Sequence, residues 1–170
     1  MSVGISPIPT SRYFGGSLLA QASAGAVTLS RVRYQRGACR EHTHGRAFLA
    51  LVTAGAYREL FRARAVTLEG GGAAFHPEST THADEILVDH TTFLIAEVDR
   101  SLTEAATESD AGSRARNVDD LAPVEIGPTA AGRLAGLYFA LNRNLQVEPL
   151  IAESLVSEAL SDRLEPVRHG

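Results

Sequence analysis

The sequence predicts a mainly β protein, a small sandwich or barrel followed by a C-terminal helical hairpin. Three observations carry this expectation. Short runs rich in β-branched residues recur between about positions 17 and 99, separated by Gly and Pro. Residues 100–127 are polar, with no sustained hydrophobic period. From Pro128 onward the apolar residues recur at helical spacing.

The elements follow in order. Val27 to Arg33 reads as a strand closed by Gly37. Phe48 to Thr53 is an apolar run ending in Ala54-Gly55, and Ala56 to Phe61 returns from it, which predicts a hairpin over 48–61. Ala65 to Leu68 runs into Gly70-Gly71-Gly72, a turn or a close backbone approach. Ala73 to Phe75, Glu85 to Val88 and Thr92 to Val98 complete a set of about seven or eight short strands, the pattern of a sandwich or barrel. Pro128 suits a helix start, where its missing N–H costs nothing. Leu134, Leu137, Tyr138, Leu141 and Leu145 then share one helical face. Pro149 begins a second helix with Ile151, Leu155, Ala159 or Leu160, and Leu164 on its apolar face. Two such helices joined by a short connection form an αα-hairpin. One of its faces is expected to cover the β-domain.

Composition narrows the function. No apolar run approaches the roughly 18 residues that a membrane-spanning helix needs, and the first residues carry no secretory h-region. The expected compartment is the cytoplasm, and no membrane partner is expected. Cys39 is the single cysteine, so a disulfide framework and a CxxC zinc site are excluded. The net charge of −4 speaks against a general basic surface for nucleic acid. All 16 basic residues are arginine, which removes Schiff-base and phosphate-loop lysine chemistry.

Five of the 6 histidines fall between positions 42 and 90. His42 and His44 are two apart, so an extended backbone points both imidazoles to one face. Imidazole suits zinc, iron, copper or nickel. His82 would come from another strand as a third ligand, and His76 and His90 are further candidates. The plainer alternative is a pair of solvated or carbonyl-bonded histidines at a strand end. Cys39 could join as a soft ligand but reads first as a small buried hydrophobe. Asp84, two residues past His82, could face the same way but reads first as a solvated loop carboxylate.

These residues resemble a known family. Gly37-x4-His42-x-His44 … Gly55 is similar to the first cupin motif, G-x5-H-x-H-x3,4-E-x6-G, with one residue fewer before the first His. Gly71-x5-Pro77-x-Ser79-x2-His82-x3-Ile86 is similar to the second, G-x5-P-x-G-x2-H-x3-N. Two departures stand out: Phe48 and Leu49 occupy the allowed positions of the motif-one Glu, and Ser79 and Ile86 replace the motif-two Gly and Asn. The resemblance implies a cupin barrel (a double-stranded β-helix, or jelly roll). It further implies a divalent metal, zinc or iron, on His42, His44 and His82.

A narrower resemblance spans about residues 12–165. The runs His42-Thr43-His44, Phe48 to Val52, Gly55 to Glu59, Phe75-His76-Pro77 and His82-Ala83-Asp84 look like the N-terminal sensor domain of AraC-type transcriptional regulators. Arg133-Leu134-Ala135 and Ile151 to Leu155 match the helical hairpin that follows it. The resemblance implies a barrel over 1–100, a polar connection over 101–127, a hairpin over 128–165 in one unit with the barrel, and a linker stub at 166–170. It implies sensing of a small-molecule effector by His42, His44, Arg46, Phe48, His76 and His82. Arg46 would pair with an anionic group. It also implies a homodimer through Leu134, Leu137, Leu141, Leu145, Leu155 and Leu164. DNA would be contacted only through a helix-turn-helix part that this chain lacks. The alternative is a stand-alone metal-dependent cupin enzyme, like a three-His dioxygenase.

Overall fold

The computed structural model describes residues 13–62, 64–108, 124–143 and 145–162. The strands are β1 (Ser17–Ala24), β2 (Val27–Tyr34), β3 (Gly37–Thr43), β4 (Ala47–Ala54), β5 (Ala56–Phe61), β6 (Arg64–Glu69), β7 (Ala73–His76), β8 (Thr81–Ile86), β9 (Thr91–Val98) and β10 (Val124–Glu125). The helices are α1 (Arg100–Glu108), α2 (Pro128–Asn142) and α3 (Pro149–Asp162). No described helix is long and apolar enough to cross a membrane. Six strands form one antiparallel sheet in the order β1-β2-β9-β4-β7-β10, and four form a second in the order β3-β8-β5-β6. Apart from the β1–β2 and β5–β6 hairpins, neighbours in both sheets are distant in sequence, and the chain passes repeatedly from one sheet to the other. This is the jelly-roll barrel.

The middle of the six-stranded sheet is buried on both faces, which explains the unbroken apolar run of β4. Phe48, Ala50 and Val52 point between the sheets, with Val32, Phe93, Ile95 and Tyr57. Leu49 and Leu51 point the other way, with Leu29, Leu94 and Val98, onto Leu134, Leu137 and Leu141 of α2 and Val156 and Leu160 of α3. The molecule thus has three layers: helices, a central sheet, and the outer four-stranded sheet. The helices are tied down by polar contacts as well. Glu153 Oε1 accepts the Ala26 backbone N–H at 2.7 Å. Arg31 donates to Asn142, and Arg133 pairs with Glu158.

Several expectations change. The segments 48–54 and 56–61 are not a hairpin: β4 pairs with β7 and β9, and β5 with β6 and β8. A strand that is apolar on both faces needs the middle of a doubly covered sheet. The chain therefore crosses between sheets at Gly55. Its φ of 87° and the Thr91 Cα, 2.9 Å from where a Cβ would sit, both require glycine. The triple glycine does both things expected of it. It turns, and its Gly71 N–H donates to the Val52 carbonyl at 2.8 Å.

The strand expected at Glu85 begins at Thr81 instead, because its inward residues His82 and Asp84 are polar and leave no apolar alternation to read. The polar stretch after residue 99 contains α1, whose Leu102 packs on the core, and the short edge strand β10. β1 also lay outside the expected set. Pro128 and Pro149 do open the two C-terminal helices. The buried face of α3 is Ala152, Val156, Ala159 and Leu160, while Ile151 is 56% exposed. Small alanines let this helix sit close to the core. Leu155 is half-buried, Leu145 is exposed, and Leu164 and 166–170 lie outside the described residues.

Ser79 holds the position of the motif-two Gly with φ 64°, a left-handed conformation that costs about 1–2 kcal/mol with a Cβ. Its N–H donates to the His44 carbonyl at 3.0 Å, so the turn anchors that histidine. Ser79→Gly is expected to raise unfolding stability by about 1 kcal/mol in urea denaturation, less Gly's unfolded-state entropy.

Candidate metal centre

The pocket opens between the two sheets. His42 on β3 lies directly opposite His82 on β8 in register. His44 follows just beyond β3, and Asp84 is two residues past His82 on the same face. A register shift between Cys39 and His42 brings those two residues onto one face although they are three apart. β5 contributes Tyr57 and Glu59, β7 His76 and β4 Phe48. The cavity between these side chains is small, about 40 Å³. Phe14 stacks on His42 with ring centroids 4.0 Å apart and covers one side.

The histidines are aimed inward by their other contacts. The His42 Nδ1–H donates to the Arg40 carbonyl at 2.8 Å, because a carbonyl can only accept. That leaves Nε2 with its lone pair toward His44 Nε2, 3.1 Å away. His42, His44 and His82 each offer a ligand atom within 4.8 Å of the others. Deeper in, the His76 Nε2–H donates to Glu59 Oε2 at 2.9 Å, and both side chains are buried. His82 lies between the two groups. Its Nε2 is 3.5 Å from Asp84 Oδ2 and its Nδ1 is 3.8 Å from Glu59 Oε1.

Electrostatics distinguish the imidazoles. His44 is pushed down to about 3, first by burial and then by the neighbouring imidazoles of His82, His42 and His76. His42 is also lowered, because burial outweighs its bond to the Arg40 carbonyl. For His82 burial acts downward, but the hydrogen bond and charge of Asp84 and the charge of Glu59 together raise it. Burial and then Asp84 raise the Cys39 thiol, which donates to the Phe14 carbonyl at 3.4 Å. Cys39 is therefore a protonated thiol that is half-buried at the pocket wall, not the buried hydrophobe expected, with Sγ 3.6 Å from His42 Nδ1.

The residues fit a divalent cation. Four buried polar atoms around this pocket have no hydrogen-bond partner: Glu59 Oε1, His76 Nδ1, His82 Nδ1 and Asp84 Oδ1. Glu59 and Asp84 stand opposite each other across β5 and β8, which places two carboxylates side by side. Among the described residues no arginine lines the pocket. Imidazoles held neutral by burial are suitable metal donors.

The structure therefore brings together five of the six site residues expected from sequence: His42, His44, Phe48, His76 and His82. Arg46 is elsewhere, exposed and paired with Asp99 at 2.8 Å, beside a broad outer cleft. His90 sits on the turn before β9 and contacts Gln35 at 3.3 Å. Asp84 is an inward strand residue, not a solvated loop carboxylate. Glu59 was missed, although its strand carries a signal. Tyr57 and Glu59 face inward while Leu60, between Glu59 and Phe61, is 43% exposed. A carboxylate on the buried side of an alternating strand is rarely without purpose.

Acid stability should report the buried His44. Its folded pKa of about 3 lies below the ordinary imidazole value of 6.5, so in this window only the unfolded chain takes up the proton. Its contribution is complete above 6.5 and is lost as pH falls toward about 3, at about 1.4 kcal/mol per pH unit. The raised His82 acts in the opposite sense, stabilising below 6.5 and fading as pH rises through its folded pKa. Urea denaturation between pH 7 and 4 is expected to show a shallower loss in His44→Asn than in the wild type.

No family model and no curated protein matches the chain. Among solved structures it is similar to KdgF from Halomonas sp., at 21% identity over 51% of this chain and 83% of that one, with a TM-score of 0.45. It is similar to a cupin-2 domain containing protein from Shewanella frigidimarina at 20% identity, over 49% of this chain and 80% of that one, with a TM-score of 0.44. A variant of oxalate decarboxylase from B. subtilis overlaps 64% of this chain at 16% identity and a TM-score of 0.44, and the chain spans only 36% of its length. The class rests on the strand order and the inward histidines themselves: a jelly-roll barrel with a candidate metal pocket between its sheets.

Proposed function

We propose that the chain is a small-molecule-binding module whose pocket holds one divalent metal, zinc or iron(II), on His42, His44 and His82. The observation that carries the reading is the His42 hydrogen bond to the Arg40 carbonyl, which turns Nε2 toward His44. A bound metal would supply a Lewis acid with open positions for a ligand. Glu59 stands behind His82 as the outer carboxylate that ligating histidines commonly have. The walls are aromatic and apolar, with carboxylates and, among the described residues, no arginine, which favours a neutral, cationic or metal-chelating ligand over a free anion. Elemental analysis of the purified full chain tests this, with about one metal per chain expected and a metal-free protein overturning it.

The regulatory reading extends this to the sensing and dimerisation part of an AraC-type regulator. Its support is the motif resemblance and the docked α2–α3 hairpin. Leu134, Leu137 and Leu141 are consumed within the chain, so pairing would use Phe139, Leu145, Leu150 and Ile151, each more than half exposed near the α2–α3 connection. Light scattering at tens of micromolar should give a dimer for the wild type, on the order expected for a modest interface, and a monomer for Ile151→Arg. A monomeric wild type would remove the pairing. The enzyme reading, a three-imidazole metal acting on substrate and dioxygen, is favoured by the open mouth beside His42 and His44. Turnover by the metal-loaded chain would select it.

A further inference from the structure

We infer that Asp84 is the fourth protein ligand of this centre, supplying from β8 the carboxylate that the first motif lacks at Phe48. The inference rests on the metal reading above and concerns which side chains complete it.

Phe48 cannot be replaced in function by anything on its own strand. Its ring stacks on His76 with centroids 4.2 Å apart and leans on His44 at 4.3 Å, so β4 has given this position to packing. The carboxylate near the imidazoles comes instead from the opposite sheet. Asp84 shares the inward face of β8 with His82, because residues two apart on a strand do. Its Oδ2 lies 3.5 Å from His82 Nε2 and 3.8 Å from His42 Nε2, while His42 Nε2 is 3.1 Å from His44 Nε2. Around a tetrahedral metal with bonds of about 2.0–2.2 Å, donor atoms stand about 3.3–3.6 Å apart. The His82–Asp84, His42–Asp84 and His42–His44 separations lie within a few tenths of an ångström of such edges. Asp84 groups with His42 and Cys39 and not with His44, so completing the shell requires its carboxylate to turn toward His44.

Charge points the same way. Asp84 faces Glu59 across the β5–β8 pairing, and its Oδ1 is buried without a partner. Among the described residues no arginine lines the pocket beside either carboxylate. A divalent cation between His42, His44, His82 and Asp84 would relieve that repulsion. Cys39 groups with His42 and Asp84 as well, but its Sγ contacts the outward Nδ1 of His42 at 3.6 Å and donates to the Phe14 carbonyl at 3.4 Å, on the side away from Nε2.

Cobalt(II) titration of the full chain, followed by visible absorption, tests the assignment. Asp84→Asn keeps the size and removes the charged donor. Loss of an outer hydrogen-bond partner costs about 10–100-fold in metal affinity. Loss of a ligand is expected to cost more than about 100-fold and to change the cobalt bands. A second variant converts the question into the appearance of a signal. In a Cys39→Ser background, Asp84→Cys should add a near-ultraviolet thiolate-to-cobalt charge-transfer band that Cys39→Ser alone does not show. Unchanged affinity and bands in Asp84→Asn, or no charge-transfer band in the cysteine variant, overturns the assignment while the three-histidine centre stands. A wild type that does not bind cobalt overturns the metal reading itself, and Asp84 as ligand with it.

Discussion

Changing His42 and His44 together to alanine is expected to abolish metal retention. The two imidazoles face each other at 3.1 Å, and with His82 they form the cluster in which all ligand atoms lie within 4.8 Å. Removing both leaves only His82 and Asp84 of the proposed ligands, too few donors for a stable zinc or iron(II) centre. In the deeper Glu59–His76–His82 group the His76 imidazole is already hydrogen-bonded to Glu59. The measurement is metal per chain after gel filtration, and full occupancy surviving the double change would sink the assignment. The pH dependence should be set by His82, not by His44. A ligating imidazole must be neutral, and His44, at about 3, is already neutral throughout the usual range. His82 is raised above 6.5 by Asp84 and Glu59, so it is the last of the three to release its proton. Apparent affinity should therefore weaken as pH falls through the His82 pKa. Asp84→Asn is expected to move that midpoint downward.

Leu137→Ala is expected to destabilise the protein by about 2–5 kcal/mol, the range for truncating a large buried aliphatic side chain. Leu137 is 2% exposed and sits where α2 meets the outer face of the central sheet. The same truncation at Leu150, 80% exposed at the start of α3, should fall within about 0.5 kcal/mol of the wild type. Urea denaturation of both variants measures the contrast. Equal, small effects would mean that the helices contribute little to the barrel. The loss expected at Leu137 follows from the second apolar layer. Without α2, Leu29, Leu49, Leu51 and Leu94 would face water across a central sheet.

Much of the architecture was legible because it is local. Pro128 and Pro149 mark helix starts through their own backbone chemistry. Gly55 and the triple glycine mark turns for the same kind of reason. The 42–44 spacing places two imidazoles on one face wherever the strand is extended. These features need no knowledge of distant residues, and the histidine core of the site was among them.

The remainder depended on which strands pair. The apolar run of β4 is compatible with a hairpin or with a central strand. Only the covering of both its faces, by the helices and by the second sheet, decides for the latter and sends the chain across at Gly55. The same holds for the carboxylates. Alternation says that Glu59 and Tyr57 share a side, and that Asp84 and His82 do, but not which side is inside. That is decided by the β3–β8–β5 register, where His42 meets His82 and Glu59 meets Asp84. Arg46 went the other way, outward to Asp99, 53 residues along the chain. By itself the sequence determined the barrel, the helical pair and three inward imidazoles. Tertiary structure alone decided which charges join them, because a strand's facing is a property of its pairing and not of its own residues.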